Sequence, residues 1–256
     1  MPPPPDVTNE SPERHLIVIP AYNEEKSLAG TIDKLSALPD HFDVVVINDG
    51  STDQTSAVAH GLVPRWDGRL HVIDLVINGG IGVAVQTGYR FASSQCDYTC
   101  VIQHDADGQH HAGDIVALVR HCRRHDLDLC IGSRFIHESD DNFRSTRPRR
   151  LGIGFLSTLI GFLAGQRVSD PTSGFRCAGP RAWALFAEHY PDDYPEPESL
   201  YYCLRNGLRV GEMPVTMHAR TEGVSSINAT RAVYYMTKVT LAICVDLLRP
   251  KEKMLT

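Results

Sequence analysis

Short apolar runs alternate with segments of helical period through the first half of the chain, and this rhythm restricts the fold more than any other feature. Residues 16–20, 43–47, 70–77, 98–103 and 127–131 read as strands. Between them Leu28, Ile32, Leu35 and Leu38 recur at helical spacing, and residues 52–60, 81–93 and 115–121 read as helices. Strands that alternate with helices cannot pair as hairpins, so they predict a mostly parallel sheet with helices on both faces. The 256 residues, 42% of them hydrophobic, suffice for one large α/β domain. Its expected bounds are 15–228. Residues 1–14 carry four consecutive prolines and read as a disordered tail, and 229–256 read as an amphipathic helix and tail.

Polar residues stand just past the strand ends: Tyr22-Asn23-Glu24, Asn48-Asp49-Gly50-Ser51, Asn78, and Asp105 with Asp107. Open α/β sheets bind ligands at the carboxyl ends of their strands, so these segments predict one shared site. The sharpest of them is Asp105-Ala106-Asp107-Gly108-Gln109. Residues i and i+2 of an extended segment point the same way, which would bring Asp105 and Asp107 together with Gln109 as a third oxygen donor. Such a set suits Mg²⁺ or Mn²⁺, whose shells are completed by water and substrate phosphates. The expected cargo is therefore phosphate-bearing, a nucleotide sugar by preference. The first four of these, Asp105-Ala106-Asp107-Gly108, are also good turn formers.

The bulk numbers remove other classes. A net charge of −6 gives no basic field for nucleic acid. The seven cysteines contain no Cys-x-x-Cys pair, which speaks against zinc and for a reducing, cytoplasmic setting. No run approaches the ~20 apolar residues that span a bilayer. In the second half, residues 151–164, 197–206 and 232–248 read as helices and 208–215 as a strand, with a turn-rich loop at 170–176. The helix at 151–164 follows a cluster of Arg144, Arg147, Arg149 and Arg150, a pattern suited to an anionic membrane surface. The helix at 232–248 could face a membrane, a membrane partner protein or the domain's own interior.

Six segments in order, Ile-Pro-Ala-Tyr-Asn-Glu (19–24), Ile-Asn-Asp-Gly-Ser-Thr-Asp (47–53), Asn-Gly-Gly-Ile-Gly-Val-Ala (78–84), Asp-Ala-Asp-Gly-Gln-His (105–110), Gly-Ser-Arg (132–134) and Asp-Pro-Thr-Ser-Gly-Phe-Arg (170–176), resemble glycosyltransferase family 2. Within it, they resemble the dolichyl-phosphate mannose synthase-like branch. The resemblance covers residues 15 to 230. It implies a GT-A fold, a Rossmann-like sheet with a C-terminal helical extension. It also implies an inverting transfer from a nucleotide-diphosphate sugar to a polyprenyl-phosphate or glycan acceptor, at the inner face of the cell membrane. By the same resemblance Pro20, Tyr22 and Glu24 line the nucleotide pocket, Ile47 and Asp49 meet base and ribose, and Asp105 holds the donor. Asp107 and Gln109 ligate the metal, while Arg134, Arg147 and Arg220 grip phosphates. The match departs at Arg220-Thr-Glu-Gly223-Val-Ser225-Ser226, where Ser226 replaces the family's phosphate-binding lysine.

The residue types agree with that chemistry. A departing diphosphate gathers negative charge, which a divalent cation and fixed guanidinium groups stabilise. An acceptor phosphate is already an anion, whereas an acceptor hydroxyl needs a carboxylate base. Asp170 is the first candidate for that base and Glu198 the second. Each has a structural alternative: Asp170 as a brace of its loop, Glu198 as a first-turn helix residue. A nucleotidyltransferase and a non-catalytic nucleotide-sugar binder are competing readings. The first expects a basic, glycine-rich loop after strand one, where this chain has acidic Ala21-Tyr22-Asn23-Glu24-Glu25.

Overall fold

The computed structural model describes residues 13–95, 97–136, 147–216 and 229–248. Strands β1 (Arg14–Ala21), β2 (Phe42–Asn48), β3 (Leu70–Asp74), β4 (Tyr98–Gln103), β5 (Leu129–Ser133), β6 (Arg176–Ala178) and β7 (Val210–Pro214) form one sheet in the order β3-β2-β1-β4-β6-β5-β7. Every pairing is parallel except those of β6, which runs antiparallel to both β4 and β5. β1 starts at Arg14, inside the stretch read as tail. The helices are α1 (Leu28–Leu35), α2 (Thr55–Leu62), α3 (Ile81–Gln95), α4 (Ala112–Arg124), α5 (Arg147–Ala164), α6 (Pro180–Glu188), α7 (Pro195–Arg205) and α8 (Ala229–Leu248).

Two cores, one per face, follow from the two-residue period of a strand. Leu16, Val18, Val45 and Ile47 pack on one face with Val85, Tyr89, Leu156, Phe186, Leu200 and Val239, from α3 and α5 to α8. Ile17, Ile19, Val44 and Val46 pack on the other with Leu28, Ile32, Ala59, Ile115 and Leu118, from α1, α2 and α4. Seven of the eight residues of β1 and all of β2 are buried, which is why both read as unbroken apolar runs rather than as alternating ones.

The chain runs from β1 outward to β2 and β3, then returns to lay β4 on the other side of β1. That reversal leaves a crevice between the ends of β1 and β4, the usual place for a ligand in an open parallel sheet. β3 stops at Asp74, short of the expected residue 77, because Leu75 N–H already donates to Asn48 O at 2.9 Å and the chain turns away. β6 and α6 were not foreseen, although Pro180 at the first helical position and Ala182, Leu185 and Phe186 at helical spacing mark α6. β6 has three residues and is recognisable only by its partners, and α6 starts at Pro180, directly after it.

Candidate active site at the β1–β4 crevice

A cleft of about 470 Å³ opens at the crevice, lined by Pro20, Ala21, Tyr22, Glu24, Asp49, Asn78, Gly80, Ile81, Ala84, Asp105, Ala106 and Asp107. This volume suits a small organic ligand. Four separate chain segments supply it. The segment after β1 is locked to the one after β2. Asn23 N–H donates to Ser51 Oγ (3.0 Å), Thr52 N–H to Asn23 Oδ1 (2.9 Å) and Glu24 N–H to Thr55 Oγ1 (2.8 Å). Asn23 takes a left-handed φ of 55°, which asparagine tolerates better than most residues.

Asp49 joins the second segment to the third. Its two carboxylate oxygens accept the N–H groups of Gly79 (2.8 Å) and Gly80 (2.9 Å) at the entry to α3. Gly50, at φ 62°, leaves room for that turn, since a Cβ there would stand 2.5 Å from Asn78 N. Gly82 is held as tightly: its N–H donates to Asp192 O at 2.9 Å, and a Cβ would stand 2.0 Å from Pro191 O. Asp49 thus lines the cleft while its carboxylate holds the loop that shapes it.

The fourth segment carries the acidic pair. Asp105 and Asp107 both line the cleft, but not as an extended continuation of β4. Residues 106–107 form a turn, Gly108 has φ 67°, and Asp107 Oδ1 accepts the Gln109 N–H at 3.1 Å. The carboxylates converge because the chain folds back, which corrects the i, i+2 geometry expected above. α1 pins the turn from outside: Thr31 Oγ1 donates to Ala106 O (2.8 Å) and Lys34 Nζ to Gly108 O (3.3 Å). Behind it His110 stacks on Phe175 with ring centroids 4.3 Å apart. Burial pushes His104 down to about 4 and His110 to about 3, so both rings are neutral supports at neutral pH.

The donor set is hard oxygen, as Mg²⁺ or Mn²⁺ requires. Among the described residues no group of three or more His, Cys, Asp or Glu side chains forms a cage. Two carboxylates fit a cation that takes its remaining ligands from water and a diphosphate. Gln109 is not among the residues lining the cleft.

The other expected site residues are placed differently. Ile47 is fully buried in the core, so its side chain is not on the cleft wall. Asp170 is also fully buried, and its carboxylate receives Arg134 in a two-point pair, Nε at 2.6 Å and Nη2 at 2.8 Å. Thr172 Oγ1 accepts a further bond from Arg134 Nη2 at 3.0 Å. Burial alone would lower the arginine's pKa, but the pair with Asp170 and the nearby charge of Asp105 raise it above its ordinary value. Glu198 lines a different cavity of about 820 Å³, together with Tyr190, Tyr201, Tyr202, Lys238 and Leu241. Arg147 starts α5, with its side chain outside the described residues, as are Arg220 and Ser226.

Two further residues act as anchors, Glu212, which was not foreseen, and Arg176, which was noted as part of the 170–176 motif. Glu212 of β7 accepts the Ser169 N–H (2.8 Å), the Ser169 hydroxyl (2.8 Å) and the Asp170 N–H (3.0 Å). Arg176 is 1% exposed and donates to Ser173 O (2.6 Å), Pro171 O (3.1 Å) and Ser199 Oγ (3.0 Å). A charged residue inside an apolar strand was the available signal for Glu212.

Comparison with known proteins agrees with this geometry. Residues 16–183 match the family model described as glycosyl transferase family 2. The polyprenol monophosphomannose synthase of Mycolicibacterium smegmatis is 28% identical over 237 residues, which is 89% of this chain and 86% of that protein. The undecaprenyl-phosphate mannosyltransferase of Micrococcus luteus is 29% identical over 219 residues, 84% and 88% of the two chains. Among solved structures, glucosyl-3-phosphoglycerate synthase from Mycobacterium tuberculosis, bound to Mn²⁺, UDP and phosphoglyceric acid, superposes with a TM-score of 0.66. That match is 18% identical and covers 91% of this chain and 79% of that one, which establishes the α/β GT-A fold.

Proposed function

The chain belongs to glycosyl transferase family 2, in its dolichyl-phosphate mannose synthase-like group, and on that premise we propose that it transfers a sugar from a nucleotide-diphosphate donor to a polyprenyl phosphate, inverting the anomeric centre. The observation that carries this reading is the shared cleft of Pro20, Tyr22, Glu24, Asp49, Asp105 and Asp107 at the β1–β4 reversal. Tyr22, 47% exposed, offers a ring face to the base. The loop held by Asp49 shapes the wall against which the nucleoside lies. Asp105 and Asp107 hold Mg²⁺ or Mn²⁺ over the donor diphosphate. When bound, that cation neutralises the charge that builds on the leaving group. Arg134, fixed by Asp170, keeps a permanent positive charge near Asp105.

Two considerations favour a phosphate acceptor. The relatives named above are described as acting on polyprenol or undecaprenyl phosphate. The carboxylates expected as bases, Asp170 and Glu198, do not line the donor cleft. We assign Asp170 as the brace of the 169–172 loop and of Arg134. A phosphate oxygen attacks the anomeric carbon opposite the leaving diphosphate without a general base.

A lipid acceptor implies contact with a membrane surface, which we take to be the cytoplasmic one, reached directly or through a membrane partner protein. Among the described residues no helix is long and apolar enough to cross a membrane. α5 instead exposes Leu151 (76%), Phe155 (50%) and Phe162 (86%) along one side, next to Arg150. Such a stripe suits the interface of a bilayer. The test is incubation of the full chain with polyprenyl phosphate and a free glycan together, Mn²⁺ and radiolabelled UDP- or GDP-sugars. The expected result is label in the organic phase, with equimolar release of nucleoside diphosphate. Label that appears only on a free glycan would replace the lipid acceptor with a sugar hydroxyl.

A further inference from the structure

Gln103 ends β4 two residues before Asp105 and is fully buried, although Cys100, Val101 and Ile102 before it are apolar. Its Oε1 accepts the Tyr190 hydroxyl at 3.2 Å. Its Nε2 has no hydrogen-bond partner among the described residues. A buried amide N–H left unmade costs about 1–3 kcal/mol, so an apolar residue would serve the strand better on stability alone. The Tyr190 bond fixes the amide's direction: with the carbonyl turned to Tyr190, the NH₂ group turns the other way.

What lies that way is Gly174. A Cβ on Gly174 would stand 3.2 Å from Gln103 Nε2 and 3.3 Å and 3.5 Å from the two carboxylate oxygens of Asp105. The amide and the carboxylate therefore border one gap, kept open because residue 174 has no side chain.

We propose that Gln103 is a positioning residue for Asp105: in the loaded cleft its Nε2 donates to one carboxylate oxygen and directs the other at the cation. This rests on the donor-site reading above. Tyr190 orients Gln103, and Gly174 provides the space. Partners of this kind fix ligand geometry, and their removal typically weakens metal binding by about 10–100-fold.

The test titrates Mn²⁺ into the full chain in the presence of UDP and, in parallel, of GDP, by calorimetry. Gln103→Leu is expected to weaken Mn²⁺ binding at least about 10-fold. Its metal-free unfolding midpoint should stay near wild type, because loss of the buried unpartnered N–H offsets the hydrogen bond that the Tyr190 hydroxyl gives up. Tyr190→Phe should move the affinity in the same direction by less. Gly174→Ala, which fills the gap, should weaken Mn²⁺ as Gln103→Leu does, and it serves as the readout if Gln103→Leu does not fold. Wild-type Mn²⁺ affinity in a folded Gln103→Leu or Gly174→Ala variant would overturn the proposal. So would an affinity loss matched by a lowered metal-free midpoint, which a purely structural role predicts. Failure of the wild-type chain to bind Mn²⁺ with either nucleotide would instead overturn the donor-site reading itself.

Discussion

Around β1, β2 and β4 the carboxylates of Glu24, Asp105 and Asp107 face a common cleft, and backbone hydrogen bonds hold the loops that carry them. Around β5, β6 and β7 the charged groups face inward: Asp170 to Arg134, Glu212 to Ser169 and Asp170, Arg176 to the carbonyls of Pro171 and Ser173. Both regions carry acidic and basic residues and use them differently. The regular parallel half draws on its apolar strands for stability and turns three carboxylates toward the cleft, while others such as Asp43 and Asp74 make structural pairs. The second half has one short antiparallel strand and a turn-rich loop, and it uses buried charge to fix that loop in place. Asp49 shows that the division is not absolute, since it borders the cleft and also clamps a backbone turn.

Substitutions can break this comparison. The largest effect belongs to the cleft. Asp107→Ala should lower transfer activity by about 1,000-fold, the equivalent of several kcal/mol of transition-state stabilisation, while unfolding in denaturant stays near wild type. In the second half the pattern should invert. Asp170→Asn leaves the Arg134 guanidinium buried without its counter-charge and should cost about 3–5 kcal/mol, read from equilibrium denaturation. A large fall in kcat with stability intact would make Asp170 a base and erase the contrast.

Acid has a smaller effect per residue. Burial pushes His15, at the amino-terminal end of the interior strand β1, down to about 4, as it does His104, and takes His110 to about 3. Their folded pKa values lie below the unfolded ones, so their contribution is complete above the ordinary histidine value and declines as pH falls toward 3–4. Each should remove roughly 1.4 kcal/mol per pH unit below about 6.5. Denaturation at pH 7 and pH 5 checks this, and His15→Phe and His110→Phe should each flatten the slope by one proton. The smallest effect is that of Glu198→Gln. It lies on the second cavity, so activity should stay within about twofold and stability within about 0.5 kcal/mol.

The parallel half was legible from its residues because burial on both faces writes continuous apolar runs, and strand ends there are marked by Asn, Asp and Gly. Tyr22, Glu24, Asp49, Asp105 and Asp107 were found that way, or through the family motifs that occupy those ends. The second half was less legible for a physical reason. A buried ion pair such as Arg134–Asp170 uses the same residue types as an active site, and its partners stand 36 residues apart in sequence. For Glu198 the fold shows the structural alternative, a place in the first turn of a helix. The face it occupies on α7 points to the second cavity. β6 has three residues, too few to show any period.

The central claim is that Asp105 and Asp107 hold a divalent cation on a nucleotide diphosphate. Thermal unfolding of the wild-type chain and of Asp107→Ala, each with UDP-, GDP- and dTDP-sugars in Mn²⁺ or in EDTA, tests it most directly. The account predicts that one nucleotide class raises the wild-type midpoint with Mn²⁺, that EDTA abolishes the rise, and that Asp107→Ala does not show it. An equal rise in EDTA, or one preserved in Asp107→Ala, would contradict it.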